Sequence, residues 1–432
     1  MAVTCVIDFD NNPYGTYFAG QVLSGRVTLS LDKVKYVKAI SLTISGYAET
    51  RWSESSTTNG KESSETYHGR EDYLASLTYL MGSDANPSQI SIEPGIRTYN
   101  FSCPIPAICP SSFEGSFGRV RYAVKVALVR PWKFDNTFSR YFTVLKVMDL
   151  NYDSPLLRMP AHTEIQKTYC CWPCRSEPLV LQLALPQTGF VAGQNIPVGV
   201  LVTNDSAIKV EELKVRLAML VCYYSQGPYI RTKNERIVVS KLKGDEVLRH
   251  CKKQFTYELH VPATPPTCFN LCRIIQIAYQ VELEAKVKGL HMNQTLAIPV
   301  TIGSVPLSEQ VIHQPRGMMP QPLDVNTLEG GGAPANEIGF REVSQPWAVD
   351  PNIPPPNYEA ALHMRDAQAA ASTEPDNRER PNTLPLDGKG FTPLYPVFNI
   401  PSPTAPVDWE QNNMPLGGVA NPNSEGDKGT WL

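Results

Sequence analysis

Residues 118–130 read GRVRYAVKVALVR. Val120, Tyr122, Val124, Val126 and Leu128 fall on alternate positions, with Arg119, Arg121 and Lys125 between them. A period of two places the apolar set on one face of an extended chain and the basic set on the other, which predicts a half-buried β-strand. The alternation recurs upstream. Val27, Leu29 and Leu31 alternate in YFAGQVLSGRVTLSL, and Ile40, Leu42 and Ile44 alternate with Ser41, Thr43 and Ser45 in AISLTIS. Gly25, Gly46, Pro94-Gly95 and Pro110 punctuate these runs. Residues 1–307 hold no comparable stretch of period 3.6. The body is predicted all-β, built as sandwiches.

The pattern occurs twice. Residues 190–217, FVAGQNIPVGVLVTNDSAIKVEELKVRL, align with residues 17–44 at a constant offset of 173. Ala19-Gly20-Gln21 meets Ala192-Gly193-Gln194, Val27 meets Val200, and Ile40, Leu42 and Ile44 meet Leu213, Val215 and Leu217. Further on, IPAICPSSF (105–113) meets VPATPPTCF (261–269) at an offset of 156, and Tyr122 and Val124 meet Tyr279 and Val281 at 157. The difference in offset is absorbed by a polar insertion at 53–72, SESSTTNGKESSETYHGRED, carried by the first copy alone. Two co-linear blocks that preserve strand phase predict two tandem domains of one fold. We expect them at 1–155 and 176–307, joined by a hinge at 156–175.

Composition divides the chain differently after Leu307. Residues 308–432 hold 19 of the 38 prolines, with 7 Lys+Arg against 16 Asp+Glu, a net charge of −9. The remaining 307 residues carry 32 Lys+Arg and 26 Asp+Glu, a net of +6. A proline-rich, acidic, weakly apolar segment cannot offset its ordering entropy by burial, so a disordered tail is expected there. The mildly basic body is compatible with peripheral association at an anionic membrane surface. No apolar run approaches the ~18 residues of a membrane span. The first residues lack the pattern of a secretory signal, so a cytoplasmic protein with reduced thiols is expected.

All ten cysteines precede residue 273. Cys170, Cys171 and Cys174 cluster in TYCCWPCR. A Cys-x-x-Cys spacing serves zinc and redox sites, but the next pair, Cys268 and Cys272, lies almost a hundred residues on, and no His-Glu-x-x-His is present. The three thiols read as linker cysteines, with reversible palmitoylation beside Lys167 and Arg175 as the alternative. No metal or cofactor is expected. Nor is an enzyme: Gly-x-Ser-x-Gly, the phosphate loop and Gly-x-Gly-x-x-Gly after a strand are missing, and the seven histidines are scattered. The acidic overall charge and the lack of zinc-finger or RNP-like patterns argue against nucleic-acid binding.

Several blocks together resemble the α-arrestin (arrestin-domain-containing) family. They are GRVTLSL, ISGYAETRW, PSSFEGSFGRVRYAVKVALVRPW, VTNDS, CRIIQIAYQVELEAKV and PVTIGSVPL, in family order across residues 5–307. The resemblance implies an arrestin N-domain and an arrestin C-domain, both immunoglobulin-like β-sandwiches. It also implies an adaptor for membrane receptors or transporters, recruited to plasma membrane and endosomes for ubiquitin-dependent sorting. Some members engage thioredoxin through a C-domain cysteine. Cys251 in RHCKKQF occupies a comparable region, with Arg249, Lys252 and Lys253 as basic neighbours that could lower a thiol pKa. A redox-sensing regulator is therefore the alternative function.

The tail carries a separate motif. Pro355-Pro356-Asn357-Tyr358 is a Pro-Pro-x-Tyr sequence. Polyproline II is preformed, so docking it costs little ordering entropy. WW domains hold the prolines between aromatic rings and take the tyrosine in a neighbouring pocket, so Pro355, Pro356 and Tyr358 are the expected contacts with a WW-domain HECT-type ubiquitin ligase. The helix formers of EAALHMRDAQAAA follow and would place Leu362 against the groove. A weaker candidate, Thr392-Pro393-Leu394-Tyr395, lacks the first proline and leaves Pro393 and Tyr395 as its contacts.

Overall fold

The computed structural model describes residues 3–58, 61–83, 89–131, 134–152, 154–171, 174–289, 291–308, 357, 361, 391–400 and 403. The first sandwich is built from eleven strands among these residues: β1 Val3–Phe9, β2 Thr16–Phe18, β3 Val22–Leu31, β4 Lys35–Val37, β5 Ala39–Thr58, β6 Lys61–Gly82, β7 Ile90–Ile92, β8 Gly95–Pro104, β9 Phe113–Glu114, β10 Gly118–Val129 and β11 Asn136–Leu145. One sheet runs β1-β3-β8 and the facing one β2-β11-β10-β5-β6, with β9 paired to β10 and a small β4-β7 ribbon alongside. A 3₁₀ turn, Pro155–Arg158, leads to the second sandwich. Its strands are β12 Ala161–Cys171, β13 Cys174–Leu185, β14 Gly189–Val191, β15 Asn195–Asn204, β16 Val210–Tyr224, β17 Thr232–Lys243, β18 Cys251–His260, β19 Ile275–Val287 and β20 Gln294–Gly303. Here the sheets run β12-β13-β15-β18 and β14-β20-β19-β16-β17.

The sheet β2-β11-β10-β5-β6 maps onto β14-β20-β19-β16-β17 strand for strand, and β1-β3-β8 onto β13-β15-β18, with β12 an added edge strand in the second sandwich. β2 pairs parallel to β11, as β14 does to β20, and every other pairing within these sheets is antiparallel. The repeated Ala-Gly-Gln is the same turn twice. Gly20 has φ +97° and Gly193 +95°, a left-handed conformation that favours glycine. Gln21 then accepts the Phe18 N–H at 2.8 Å, and Gln194 accepts the Val191 N–H at 3.0 Å. The matched tyrosines also do one job. The Tyr122 hydroxyl donates to the Pro110 carbonyl at 2.7 Å, and the Tyr279 hydroxyl donates to the Pro265 carbonyl at 2.7 Å. Each bond ties the loop before the sheet to its central strand.

The alternation in β10 is real on its inner face, where Val120, Tyr122, Val124, Val126 and Leu128 are all 2% exposed or less. Its outer face is not uniformly solvated. Lys125 is exposed, but Arg119 and Arg121 are buried. Arg119 pairs with Glu49 on neighbouring β5, and Arg121 binds Glu114 through two bonds of 2.5 and 2.9 Å. Paired guanidinium groups can be buried where lone ones cannot.

One expectation needs correcting in detail. Much of the segment expected as a hinge, 156–175, is the edge strand β12, whose Ala161, Thr163 and Ile165 face inward and which pairs with β13. Their weak alternation, one aliphatic and two small residues, is too faint to read as a strand. The described part of the polar insertion, residues 53–58 and 61–72, belongs to β5 and β6. It is the long end of the β5–β6 hairpin, where Trp52 and Tyr67 stack with ring centroids 5.7 Å apart. Among the described residues no helix is long and apolar enough to cross a membrane.

Because both tyrosine hydroxyls are buried, removing either strands a carbonyl without water. Tyr122→Phe and Tyr279→Phe should each lower the unfolding free energy by about 1–3 kcal/mol. Tyr229→Phe, at a ring 64% exposed, should leave it unchanged; urea denaturation of the full chain measures all three.

Candidate functional site

The features that distinguish this body from two independent sandwiches converge at the junction between them. Tyr223, at the end of β16, is fully buried there. Its ring lies 5.7 Å from Phe117, edge-on, and 6.5 Å from Phe113, both from the first sandwich. Its hydroxyl donates to Glu235 of β17 at 2.6 Å, and the other Glu235 oxygen accepts from Ser116 at 2.5 Å. Burial, and then the Glu235 carboxylate, push the Tyr223 hydroxyl pKa up. The ring thus stays a neutral donor at any physiological pH.

Gly115 and Gly118 make room for this packing. A Cβ on Gly115 would meet the Tyr223 hydroxyl at 2.1 Å, and one on Gly118 would meet the Tyr223 ring at 2.9 Å. The FEGSFG stretch therefore reads as a junction sequence: its aromatics pack on Tyr223 and its glycines give it space.

The β5–β6 hairpin crosses to the second sandwich beside this ring. Thr50 donates to the Tyr224 carbonyl at 2.7 Å. His68 and the Gln226–Gly227 turn exchange backbone bonds of 2.8–3.0 Å. The Arg70 N–H donates to the Gln226 side chain at 2.8 Å, and the Arg273 N–H donates to Glu71 at 3.1 Å. On the opposite side of the junction, the Met148 N–H donates to Ser304 Oγ at 2.7 Å. Asn151 Oδ1 accepts from the Ser308 N–H at 2.8 Å and from Arg158 at 2.7 Å. The insertion that sets the first copy apart is thus a strut to the second.

The second notable arrangement involves the tail. Against the expectation for residues 308–432, Phe391–Ile400 packs on the body, with Leu394, Val397 and Phe398 at 6%, 4% and 1% exposure. The averaged composition of the tail concealed an apolar decapeptide, FTPLYPVFNI. Tyr395, the weaker WW candidate, donates to the Ser112 carbonyl at 2.9 Å. The residue is part-exposed as a whole, but its hydroxyl end lies inside, and burial holds its pKa well above the usual tyrosine value. Pro393 is buried beside it.

The primary motif is less fully placed. Pro355, Pro356 and Tyr358 lie outside the described residues, as does Leu362. Asn357 between them is described, and its N–H donates to the Val397 carbonyl at 2.8 Å.

The cysteines are dispersed. Cys170 pairs in register with Arg175 and Cys171 with Cys174, which places the cluster at the tip of the β12–β13 hairpin. Cys251 begins β18 opposite Asn204, part-buried against the core. Burial pushes Cys272 up to about 11, a value that keeps it a protonated thiol. Among the described residues no group of His, Cys, Asp and Glu could hold a metal ion. Sequence reading missed Tyr223, Glu235 and the Arg121–Glu114 pair. A signal existed only for Tyr223, as one aromatic in a strand, and nothing in the pattern marks which strand end meets a second domain.

Tyr223→Ala should open a cavity at the junction and lower stability by about 3–5 kcal/mol. Hydrogen exchange should then accelerate at 65–72, the part of the hairpin that leans on residues 224–227, while the far strands β1 and β3 stay protected.

Comparison with known proteins places this architecture. Residues 5–151 match the family described as arrestin (or S-antigen), N-terminal domain, and residues 175–307 match arrestin (or S-antigen), C-terminal domain. The chain is 31% identical over 318 residues to arrestin domain-containing protein 17 of Caenorhabditis elegans, covering 70% of this chain and 71% of that protein. It is 24% identical over 302 residues to human arrestin domain-containing protein 4, covering 69% and 70%. It is 24% identical over 386 residues to human arrestin domain-containing protein 1, covering 89% and 83%. With both arrestin domains in order, folded as paired sandwiches and docked through Tyr223, the chain belongs to the α-arrestin family of arrestin domain-containing proteins.

Proposed function

We propose that this protein is a non-enzymatic adaptor that links membrane-protein cargo to WW-domain HECT-type ubiquitin ligases, for endocytosis and endosomal sorting. One conjunction carries the reading: a two-domain arrestin body and a Pro-Pro-x-Tyr sequence occur in the same chain. The body is the cargo-facing part. Receptors or transporters are its partners, and the chain moves from cytoplasm to plasma membrane and endosome as they do. The Cys170, Cys171 and Cys174 hairpin tip is a candidate for palmitoylation, which would add to peripheral membrane attachment.

Pro355 and Pro356 fill the proline slot of a WW domain and Tyr358 its adjoining pocket. The tyrosine contributes both the pocket contact and packing against the prolines. Thr392 stands where the second candidate would need its first proline, so that site contributes less. Two linked sites gain avidity through effective concentration, and one strong site with one weak one gains less.

Titration of a tandem WW-domain protein into the full chain tests this reading. Tyr358→Ala should weaken binding at least tenfold, which corresponds to about 1.4 kcal/mol, and Tyr395→Ala should have a smaller effect. Equal losses would overturn the ranking of the motifs, and no loss from either would overturn the ligase contact.

A further inference from the structure

We propose that Phe391–Ile400 is an intramolecular clamp seated in a groove between the two sandwiches, and that this groove and WW domains compete for the same tyrosine. The competition rests on the adaptor reading above; the clamp does not.

The segment touches both sandwiches in turn. Phe391 lies 5.3 Å from the Tyr141 ring on β11. The Leu394 N–H donates to Thr143 Oγ1 at 3.1 Å, and Tyr395 donates to the Ser112 carbonyl at 2.9 Å, both in the first sandwich. Three residues on, the Phe398 N–H donates to the Ala192 carbonyl of the second sandwich at 2.9 Å. Phe398 is the deepest anchor, packed with Leu150, Leu157 and Val191 and flanked by Leu307 and Ile400. A ten-residue stretch with anchors on both sides bridges the junction as a strap.

The groove is shaped for this peptide. A Cβ on Gly193 would meet the Phe398 carbonyl oxygen at 2.2 Å and Val397 Cγ1 at 2.5 Å. The equivalent turn in the first sandwich shows what the site looks like without a tail. There a Cβ on Gly20 would meet only Ala107, at 3.9 Å. The two turns are duplicates in sequence and hydrogen bonding, yet only the second receives the segment.

Docking and WW capture are mutually exclusive at this motif because they use the same atoms. A WW domain needs the proline ring and the tyrosine side chain free on one face. Here Pro393 and Pro396 are buried and the Tyr395 hydroxyl is committed to Ser112. The Asn357–Val397 bond brings the middle of the primary motif alongside the strap. A ligase that captures Tyr395 must therefore lift the strap off both sandwiches. Affinity at Tyr395 then scales with the fraction of chains in which the strap is free.

The test uses the full chain and Phe398→Asp, which removes the deepest anchor and leaves Thr392–Tyr395 intact. Asn399→Asp, at an exposed neighbour, adds the same charge without removing an anchor. In hydrogen exchange, the parent chain should protect 391–400. Phe398→Asp should deprotect it at least tenfold and Asn399→Asp should not. On a Tyr358→Ala background, Phe398→Asp should also raise affinity for a tandem WW-domain protein at least threefold. Exchange at 391–400 as fast in the parent as in Phe398→Asp would overturn the clamp. Deprotection with no gain in WW affinity would overturn the competition and leave the clamp standing. If no chain binds the WW domains, even with Tyr358 present, the ligase reading falls and the competition with it, while the exchange rates still decide the clamp.

Discussion

The Tyr223 ring is where two sandwiches become one body. Sheet pairing stays within each sandwich, so nothing in the sheets themselves requires the two to meet at a fixed angle. The ring changes that by occupying a space bounded by Phe113, Phe117 and two glycines, with its hydroxyl held by a carboxylate that also takes a bond from Ser116. An aromatic side chain brings a large apolar area with few rotors, and its buried polar tip demands one partner in one direction. That combination sets both distance and orientation. The hairpin contacts at residues 50 and 68–71 then lean on a junction already positioned.

Duplication explains the sandwiches, and divergence explains the junction. The Ala-Gly-Gln turn and the tyrosine-to-proline-loop bond are retained in both copies because each satisfies a buried backbone group, and losing one leaves an unpaired donor or acceptor. The long β5–β6 hairpin exists in the first copy alone. The strap-receiving turn at Gly193 is in use in the second alone. An arrestin body of this kind gains its shared surfaces from what the copies do not have in common.

The tail shows why averages mislead. Over its whole length its prolines and acidic residues describe a chain that cannot fold by itself. A segment that folds onto something else needs only enough apolar surface to fill the groove offered, and FTPLYPVFNI supplies three buried apolar anchors, Leu394, Val397 and Phe398, in ten residues. The two prolines restrict the unbound segment, so less entropy is lost when it docks. The same preformed character suits a polyproline-type ligand, which is why one short sequence can serve two binding partners.

The amino-acid sequence alone determined the all-β class, the duplication, the phase of the strongly alternating strands such as β10 and the family. These depend on strand periodicity and on local turn chemistry, and both are written in neighbouring residues. It also located the Pro-Pro-x-Tyr motif, a signal four residues long. Only tertiary structure decided which outward-facing residues are covered. Arg121 reads as a solvated basic residue until Glu114 is folded beside it. The insertion at 53–72 reads only as a polar segment peculiar to the first copy until its backbone finds residues 226–227. Tyr395 reads as a poor copy of a ligase motif until Ser112, some 283 positions away in the chain, accepts its hydrogen bond. In each case the partner is distant in sequence or set on another strand, and periodicity reports only which face a side chain occupies, not what the rest of the chain brings to that face.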